Sequence, residues 1–69
     1  MHKPICIGCN KPPAEIDEYI DAVVGTTETE DEYVRAEEGT YNPRNGHFLC
    51  TKCYVKAGMP SSPNGWVAP

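Results

Sequence analysis

The four cysteines of this 69-residue chain are arranged as two C-x-x-C pairs, Cys6 with Cys9 and Cys50 with Cys53. Two thiolates at this spacing can bind one metal ion together, and two such pairs complete a tetrahedral shell around zinc. Four sulfurs leave no coordination position for water or a substrate. The sequence therefore predicts one structural zinc ion per chain, bound by all four cysteines, in a protein that is not an enzyme.

Other uses of paired cysteines fit this chain less well. Two disulfides would suit a small secreted domain, but residues 1–4 lead into the first pair without an apolar signal segment. A thioredoxin-type redox site needs one C-x-x-C in a larger α/β domain. A zinc-dependent base deaminase needs an H-x-E motif, which this sequence lacks. These comparisons favour a structural metal site and a reducing, cytoplasmic environment.

The length and charge of the chain set further limits. A single domain of this size buries too little apolar surface to offset its conformational entropy, so it needs a metal or another cross-link. No apolar stretch approaches the roughly 20 residues that cross a bilayer, which argues against membrane insertion. The overall net charge is −4, and the acidic and basic residues are concentrated in different segments of the chain.

All ten acidic residues lie between Pro12 and Gly39, where Arg35 is the only base, so this segment carries a net charge of −9. We call residues 12–39 the acidic insertion. The flanking segments carry five basic residues and no acid: Lys3, Lys11, Arg44, Lys52 and Lys56. Zinc bound by four thiolates adds a further net charge of −2. This balance disfavours extensive contact with a phosphate backbone.

The acidic insertion is predicted to form two helices. Pro12 and Pro13 suit a helix start, and Ile16, Tyr19, Ile20 and Val23 recur at helical spacing, which predicts a helix over about 13–24 ended by Gly25. Two overlapping capping-box motifs follow, one from Thr27 to Glu30 and one from Thr29 to Glu32. A second helix should begin at one of them, continue to about Glu38 and end at Gly39.

The segment before the second cysteine pair is predicted to be a β-hairpin. Residues 40–41 and 47–49 would be its strands, joined by a turn over 42–46 that contains Pro43 and Asn45-Gly46. The second cysteine pair would then open a short helix through about Ala57, followed by Gly58 and Pro60. His47 is interpreted as a surface residue of the hairpin rather than a fifth metal ligand.

This order of elements resembles the treble-clef and zinc-ribbon class of four-cysteine zinc fingers. The resemblance covers residues 4–11 and 40–58, and the 40 residues between Cys9 and Cys50 would hold the acidic insertion. It implies a small metal-stabilised α+β fold. The chain also loosely resembles small zinc proteins of bacteria and bacteriophages. Rubredoxin, an iron protein, shares two C-x-x-C pairs, but that family follows each pair with glycine, where this chain has Asn10 and Tyr54.

A zinc-binding domain over 1–58 would be followed by a tail over 59–69 that is rich in Pro, Ser and Gly and contains Trp66, the only tryptophan. We expect Trp66 to pack on the domain, although an exposed tryptophan could anchor a partner. The leading functional hypothesis is a non-catalytic protein-interaction module acting through the acidic helices or the tail on a larger cytoplasmic machine. The alternative is a nucleic-acid-binding finger. It would use the following residues: Lys11, Arg44, Lys52 and Lys56, with Tyr41 or Phe48 stacking on bases.

Overall fold

The computed structural model describes residues 2–69 and shows a small α+β fold. A 3-10 helix and three α-helices are combined with a two-stranded sheet. In chain order the elements are β1 (Ile5–Cys6), the 3-10 helix (Pro13–Glu15), α1 (Asp17–Ala22), α2 (Glu30–Glu37), β2 (His47–Phe48) and α3 (Thr51–Lys56). Within residues 2–69, no helix is both long enough and apolar enough to cross a bilayer.

The two strands pair in parallel, with Ile5 opposite His47 and Cys6 opposite Phe48. The amide of Ile5 donates to the Gly46 carbonyl at 2.9 Å, and the amide of Ile7 donates to the Phe48 carbonyl at 3.0 Å. This pairing brings the first cysteine pair beside the chain that leads into the second pair. The sheet therefore places the two cysteine pairs of the predicted metal site next to each other.

The predicted β-hairpin over 40–49 is wrong. The turn forms, since the Gly46 amide donates to the Asn42 carbonyl at 2.8 Å, but residues 40–41 are not a strand. The hydroxyl of Thr40 accepts a hydrogen bond from the Leu49 amide at 2.9 Å, in place of a backbone carbonyl. The Thr40 carbonyl instead accepts from the Ala68 amide at 2.8 Å. Residues 40–41 therefore do not form backbone hydrogen bonds to residues 47–49 as a second strand would, because Thr40 bonds Leu49 through its side chain and Ala68 through its carbonyl.

The first predicted helix is interrupted at Ile16, whose φ of −116° and ψ of 117° are extended. The chain forms a 3-10 turn before this residue and α1 after it, and α1 ends at Ala22, short of Gly25. The second predicted helix is confirmed as α2. Thr29 and Glu32 form its capping box: the Thr29 amide donates to Glu32 Oε1 at 2.8 Å, and the Glu32 amide donates to Thr29 Oγ1 at 3.2 Å.

One apolar core joins the acidic insertion to the cysteine-bearing elements. Its buried members are Cys6, Tyr19, Val34, Phe48, Leu49 and Cys50. The Tyr19 ring meets Phe48 edge-on at a centroid distance of 5.5 Å and lies 6.1 Å from Tyr33. The Tyr19 hydroxyl donates to Glu38 at 2.8 Å, which satisfies the polar end of this buried ring. The two acidic helices therefore pack on the same core that contains two of the cysteines.

The tail turns back onto the rest of the molecule. Trp66 packs at the edge of the core with its ring centroid 6.1 Å from that of Tyr54, as expected from the sequence. Ala68 is fully buried, and its carbonyl accepts a hydrogen bond from the Asn42 side chain at 2.8 Å. Residues 66–68 are thus held by packing and by hydrogen bonds. The division into a domain over 1–58 and a tail over 59–69 stays a prediction.

Candidate metal centre

The structure brings the four predicted ligands together. The sulfurs of Cys6, Cys9, Cys50 and Cys53 all lie within 4.8 Å of one another, and those of Cys6 and Cys50 are 3.8 Å apart. A zinc ion about 2.3 Å from each of four sulfurs requires sulfur separations of roughly 3.8 Å. All four cysteines are free thiols, and a disulfide would need sulfurs about 2.05 Å apart. The Cys6–Cys50 separation matches this value, and all four sulfurs are near enough to one another to bind a single ion.

The first cysteine pair lies on a tight turn at the end of β1. The Asn10 amide donates to the Cys6 carbonyl at 2.8 Å, and the Cys6 amide donates to the Lys11 carbonyl at 2.9 Å, which closes the turn. Asn10 has a φ of +61°, a left-handed conformation that asparagine tolerates better than most residues. The absence of glycine after Cys9 therefore does not prevent this turn from forming.

Gly8 allows the turn to approach α3. A Cβ atom at this position would lie 2.5 Å from Cys53 Cβ and 2.7 Å from Cys53 Sγ. Any side chain here would push the two cysteine pairs apart. The glycine is therefore part of the site, and its role could not be read from the spacing of the cysteines.

The second cysteine pair lies at the start of a helix, as predicted. Cys50 is the N-cap residue of α3, with an extended backbone, and Cys53 lies in the first turn. The Tyr54 amide donates to the Cys50 carbonyl at 2.8 Å, so this pair is helical and differs in backbone from the first. Rubredoxin-type sites are built from two matched turns, so this asymmetry argues against that resemblance.

Burial and hydrogen bonding give the thiols different acidities. Burial disfavours ionisation of Cys6, but the amides of Cys50, Cys9 and Gly8 donate to its sulfur and lower its pKa to about 7. Burial, together with hydrogen bonding to Cys50 and Cys6, raises the pKa of Cys53 to about 12. Burial is also the main cause of the raised pKa of Cys50. Cys6 therefore ionises readily, whereas ionisation of Cys50 and Cys53 is unfavourable without a cation nearby. This pattern is expected where several thiolates share one metal ion.

An open cleft of about 730 Å³ borders the cysteines. Its walls are the acidic residues at the start of the insertion on one side and the N-terminus of α3 on the other. Across it, the Glu18 carboxylate accepts hydrogen bonds from the Thr51 amide at 2.9 Å and the Thr51 hydroxyl at 2.6 Å. No local sequence pattern indicates this contact, because its partners are 33 residues apart.

His47 is separate from the cysteine cluster. Its Nδ1 lies 2.6 Å from the Pro69 carbonyl oxygen, and among residues 2–69 only the four cysteines group at ligand distance. The arrangement agrees with the interpretation of His47 as a residue outside the metal site. It contacts the tail instead.

Comparison with known proteins adds no family to this description. No protein-family model matches the chain, and neither the curated proteins nor the solved structures include a significant match. The cysteine cluster and the charged surface of this chain are therefore the basis for assigning a function.

Proposed function

We propose that Cys6, Cys9, Cys50 and Cys53 bind one zinc ion with a structural role. The convergence of four free thiols within 4.8 Å is the observation that carries this proposal. Bound zinc would hold all four as thiolates and cross-link β1 to α3. A saturated tetrahedral shell offers no position to activate water, so the protein would have no catalysis of its own.

At the level of fold class, we propose a variant of the treble-clef and zinc-ribbon zinc fingers. The supporting features are the order of a tight turn with two cysteines, a later turn and strand, and a helix whose first turn holds the last two cysteines. The departure is the sheet, because β2 pairs with β1 in parallel instead of forming a hairpin. The acidic insertion is part of the same folded unit, since Tyr19 and Val34 belong to the core.

We further propose that the protein is an interaction module whose acidic insertion binds a basic surface on a larger cytoplasmic machine. The insertion carries a net charge of −9, and most of its carboxylates are exposed. Val24 is 72% exposed at the end of α1, which adds an apolar contact beside these charges. A charged surface with an apolar contact favours a protein partner, because charge directs association and apolar burial supplies affinity.

The nucleic-acid alternative loses one of its stacking candidates, because Phe48 is fully buried. The prediction that Phe48 could stack on bases is therefore wrong, since its ring packs against Tyr19. Lys11, Lys52 and Lys56 line the clefts next to the cysteines. There they would face a metal cluster of net charge −2, which offsets much of their attraction for phosphate. The protein-interaction proposal is therefore the stronger of the two.

Metal analysis tests the first part of the proposal. Protein purified under reducing conditions should contain one zinc per chain, and no thiol should react with a thiol reagent until a chelator is added. Cobalt substitution should give the absorption of a tetrahedral four-thiolate site. Iron with rubredoxin-like absorption, or a pair of disulfides, would contradict the proposed metal.

Matched charge variants test the interaction surface. In affinity capture from the native host, holo protein should retain a partner that is lost when Asp21 is changed to Asn and Glu28 and Glu37 are changed to Gln. The partner should be kept when Lys52 and Lys56 are changed to Gln. Binding to duplex DNA at physiological salt should be weaker than about micromolar, as non-specific binding is. Tighter, steeply salt-dependent DNA binding that is lost in the lysine variant would establish the alternative.

A further inference from the structure

The N-terminus of α3 is capped by a residue from the acidic insertion. Cys50 occupies the N-cap position but makes no side-chain capping hydrogen bond. An N-cap side chain ordinarily accepts a hydrogen bond from the first turn of its helix. Here the sulfur of Cys50 lies among the other three cysteines, so the residue that would cap the helix is used as a metal ligand.

Glu18 fills this role from another part of the chain. Its carboxylate accepts from the Thr51 amide at 2.9 Å and from the Thr51 hydroxyl at 2.6 Å. Thr51 directly follows Cys50 and precedes Cys53 by two positions. The carboxylate therefore fixes the backbone that carries both ligands of the second pair.

We propose that Glu18 is a positioning residue of the metal centre, which holds Cys50 and Cys53 in binding geometry through Thr51. This inference rests on the proposed zinc site. It makes the acidic insertion part of the metal's outer shell, so that the affinity for metal depends on how α1 is seated against α3. Groups that hydrogen-bond a metal ligand directly commonly change metal affinity by 10- to 100-fold. Glu18 bonds the residue next to a ligand, so we expect an effect at the lower end of this range.

Charge alone would act in the opposite direction. A carboxylate near four thiolates repels the negative cluster that forms on metal binding, so removing its charge should strengthen metal binding. Glu18 has two neighbours in the same cleft, Glu15 and Asp17. Asp17 is the matched control, because within residues 2–69 its side chain accepts no hydrogen bond.

The experiment measures zinc affinity by competition with a chromogenic chelator in the full chain. Glu18→Gln keeps the size of the side chain but replaces two charged acceptor oxygens with one neutral one, so at most one of the two Thr51 donors keeps its acceptor. This change should weaken zinc binding about 10-fold. Asp17→Asn should leave the affinity unchanged or slightly increase it. In a Thr51→Val background, which lacks the hydroxyl, the effect of Glu18→Gln should be smaller than in the wild type.

Cobalt absorption separates positioning from a general loss of stability. At saturating cobalt, Glu18→Gln should shift the ligand-field bands because two of the four sulfurs move. Thr29→Ala, which removes the capping box of α2 at a residue outside the core that contains Cys6 and Cys50, should leave the bands unchanged.

Each outcome decides between the two proposals. If wild-type protein binds no metal at one ion per chain, the proposed function fails. If the wild type binds zinc but Glu18→Gln behaves like Asp17→Asn, only the positioning role fails. An equal effect of Glu18→Gln with and without the Thr51 hydroxyl, or a spectrum that matches the wild type, would also overturn that role.

Discussion

The cysteine-bearing elements and the acidic insertion share a core, but they are held in place by different means. Strand β1 and helix α3 contain cysteines, and strand β2 leads to Cys50. Each strand has two residues, and the helix has six residues, none of them buried. Two of their buried residues are themselves cysteines. The acidic insertion supplies Tyr19 and Val34 to the core, and its helix α2 has a complete capping box. Local interactions support the insertion, whereas the other elements would be cross-linked by the proposed zinc ion.

This difference shows how a chain of 69 residues can support a fold with little regular structure. Short strands and helices have few internal hydrogen bonds and are marginal in isolation. Binding of a structural zinc ion contributes about 10–16 kcal/mol of apparent free energy at neutral pH. The elements that carry the ligands can therefore be short, provided that the metal is present.

The largest expected effect comes from removing one ligand. Cys50→Ser should abolish folding of the whole chain, because it breaks the metal shell and places a hydroxyl in the core. Dispersed amide signals in a 1H–15N spectrum should disappear, including those of residues 12–39. Chelation of the wild type should have the same effect, and added zinc should reverse it.

Native signals that persist only in the acidic insertion of Cys50→Ser would show that the insertion folds without the cysteine-bearing elements. The insertion would then be an independent folding unit instead of a partner in a shared core. Native-like spectra throughout would contradict the metal-dependent fold altogether.

A smaller effect is expected from crowding the contact between the two cysteine pairs. Gly8→Ala would place a Cβ atom 2.5 Å from Cys53 Cβ, and we expect it to cost about 2 kcal/mol in unfolding free energy, as overpacking does. Gly39→Ala is the control, because no atom lies within 4 Å of its added Cβ. Equal denaturation midpoints for the two variants would show that the pairs do not pack as described.

The tail should contribute less to the free energy of unfolding than the contact between the two cysteine pairs. Trp66 is only partly buried, so Trp66→Ala should cost about 1–2 kcal/mol, below the value for a fully buried aromatic residue. The neighbouring Val67, which is 43% exposed, provides a control that should change stability by less than about 0.5 kcal/mol. Tryptophan emission should be blue-shifted in the metal-bound protein and move to longer wavelength on chelation. A solvent-like emission before chelation would mean that the tail does not pack.

The smallest effect concerns the capping box of α2. Thr29→Ala should cost about 1 kcal/mol, measured by chemical denaturation of the metal-bound protein. Thr27→Ala is a sharp control, since Thr27 begins the competing motif in the sequence and is exposed. A larger loss of stability in Thr27→Ala than in Thr29→Ala would show that the helix begins at the first motif and not at Thr29.

The same box predicts a pH dependence in the insertion. The Thr29 amide donates to the Glu32 carboxylate and holds its pKa below the usual value. A lowered folded-state pKa means that this stabilisation is present above the ordinary pKa of glutamate, about 4.3, and is lost as the pH falls through the folded value. The stability advantage of wild type over Glu32→Gln should therefore shrink on acidification. The comparison is made over the pH range in which the metal stays bound, and an advantage that does not decline at the acid end of that range would contradict this assignment.

Local patterns in the sequence determined several features by themselves. The spacing of the cysteines predicted which side chains converge, and the capping-box pattern predicted the start of α2, because both depend on residues a few positions apart. The first helix was predicted as one element, whereas Ile16 divides it into two. Hydrophobic periodicity continues across such a break, so it could not reveal the interruption.

Only the tertiary structure decided which distant segments meet. The parallel pairing of β1 with β2, the use of the Thr40 hydroxyl in place of a strand, and the contact of Glu18 with Thr51 all join residues well separated along the chain. The residue types at these positions allow many partners, and the pairing is selected by the packing of the whole core. For this reason the sequence predicted which cysteines converge, while the contacts that support them were visible only in the folded chain.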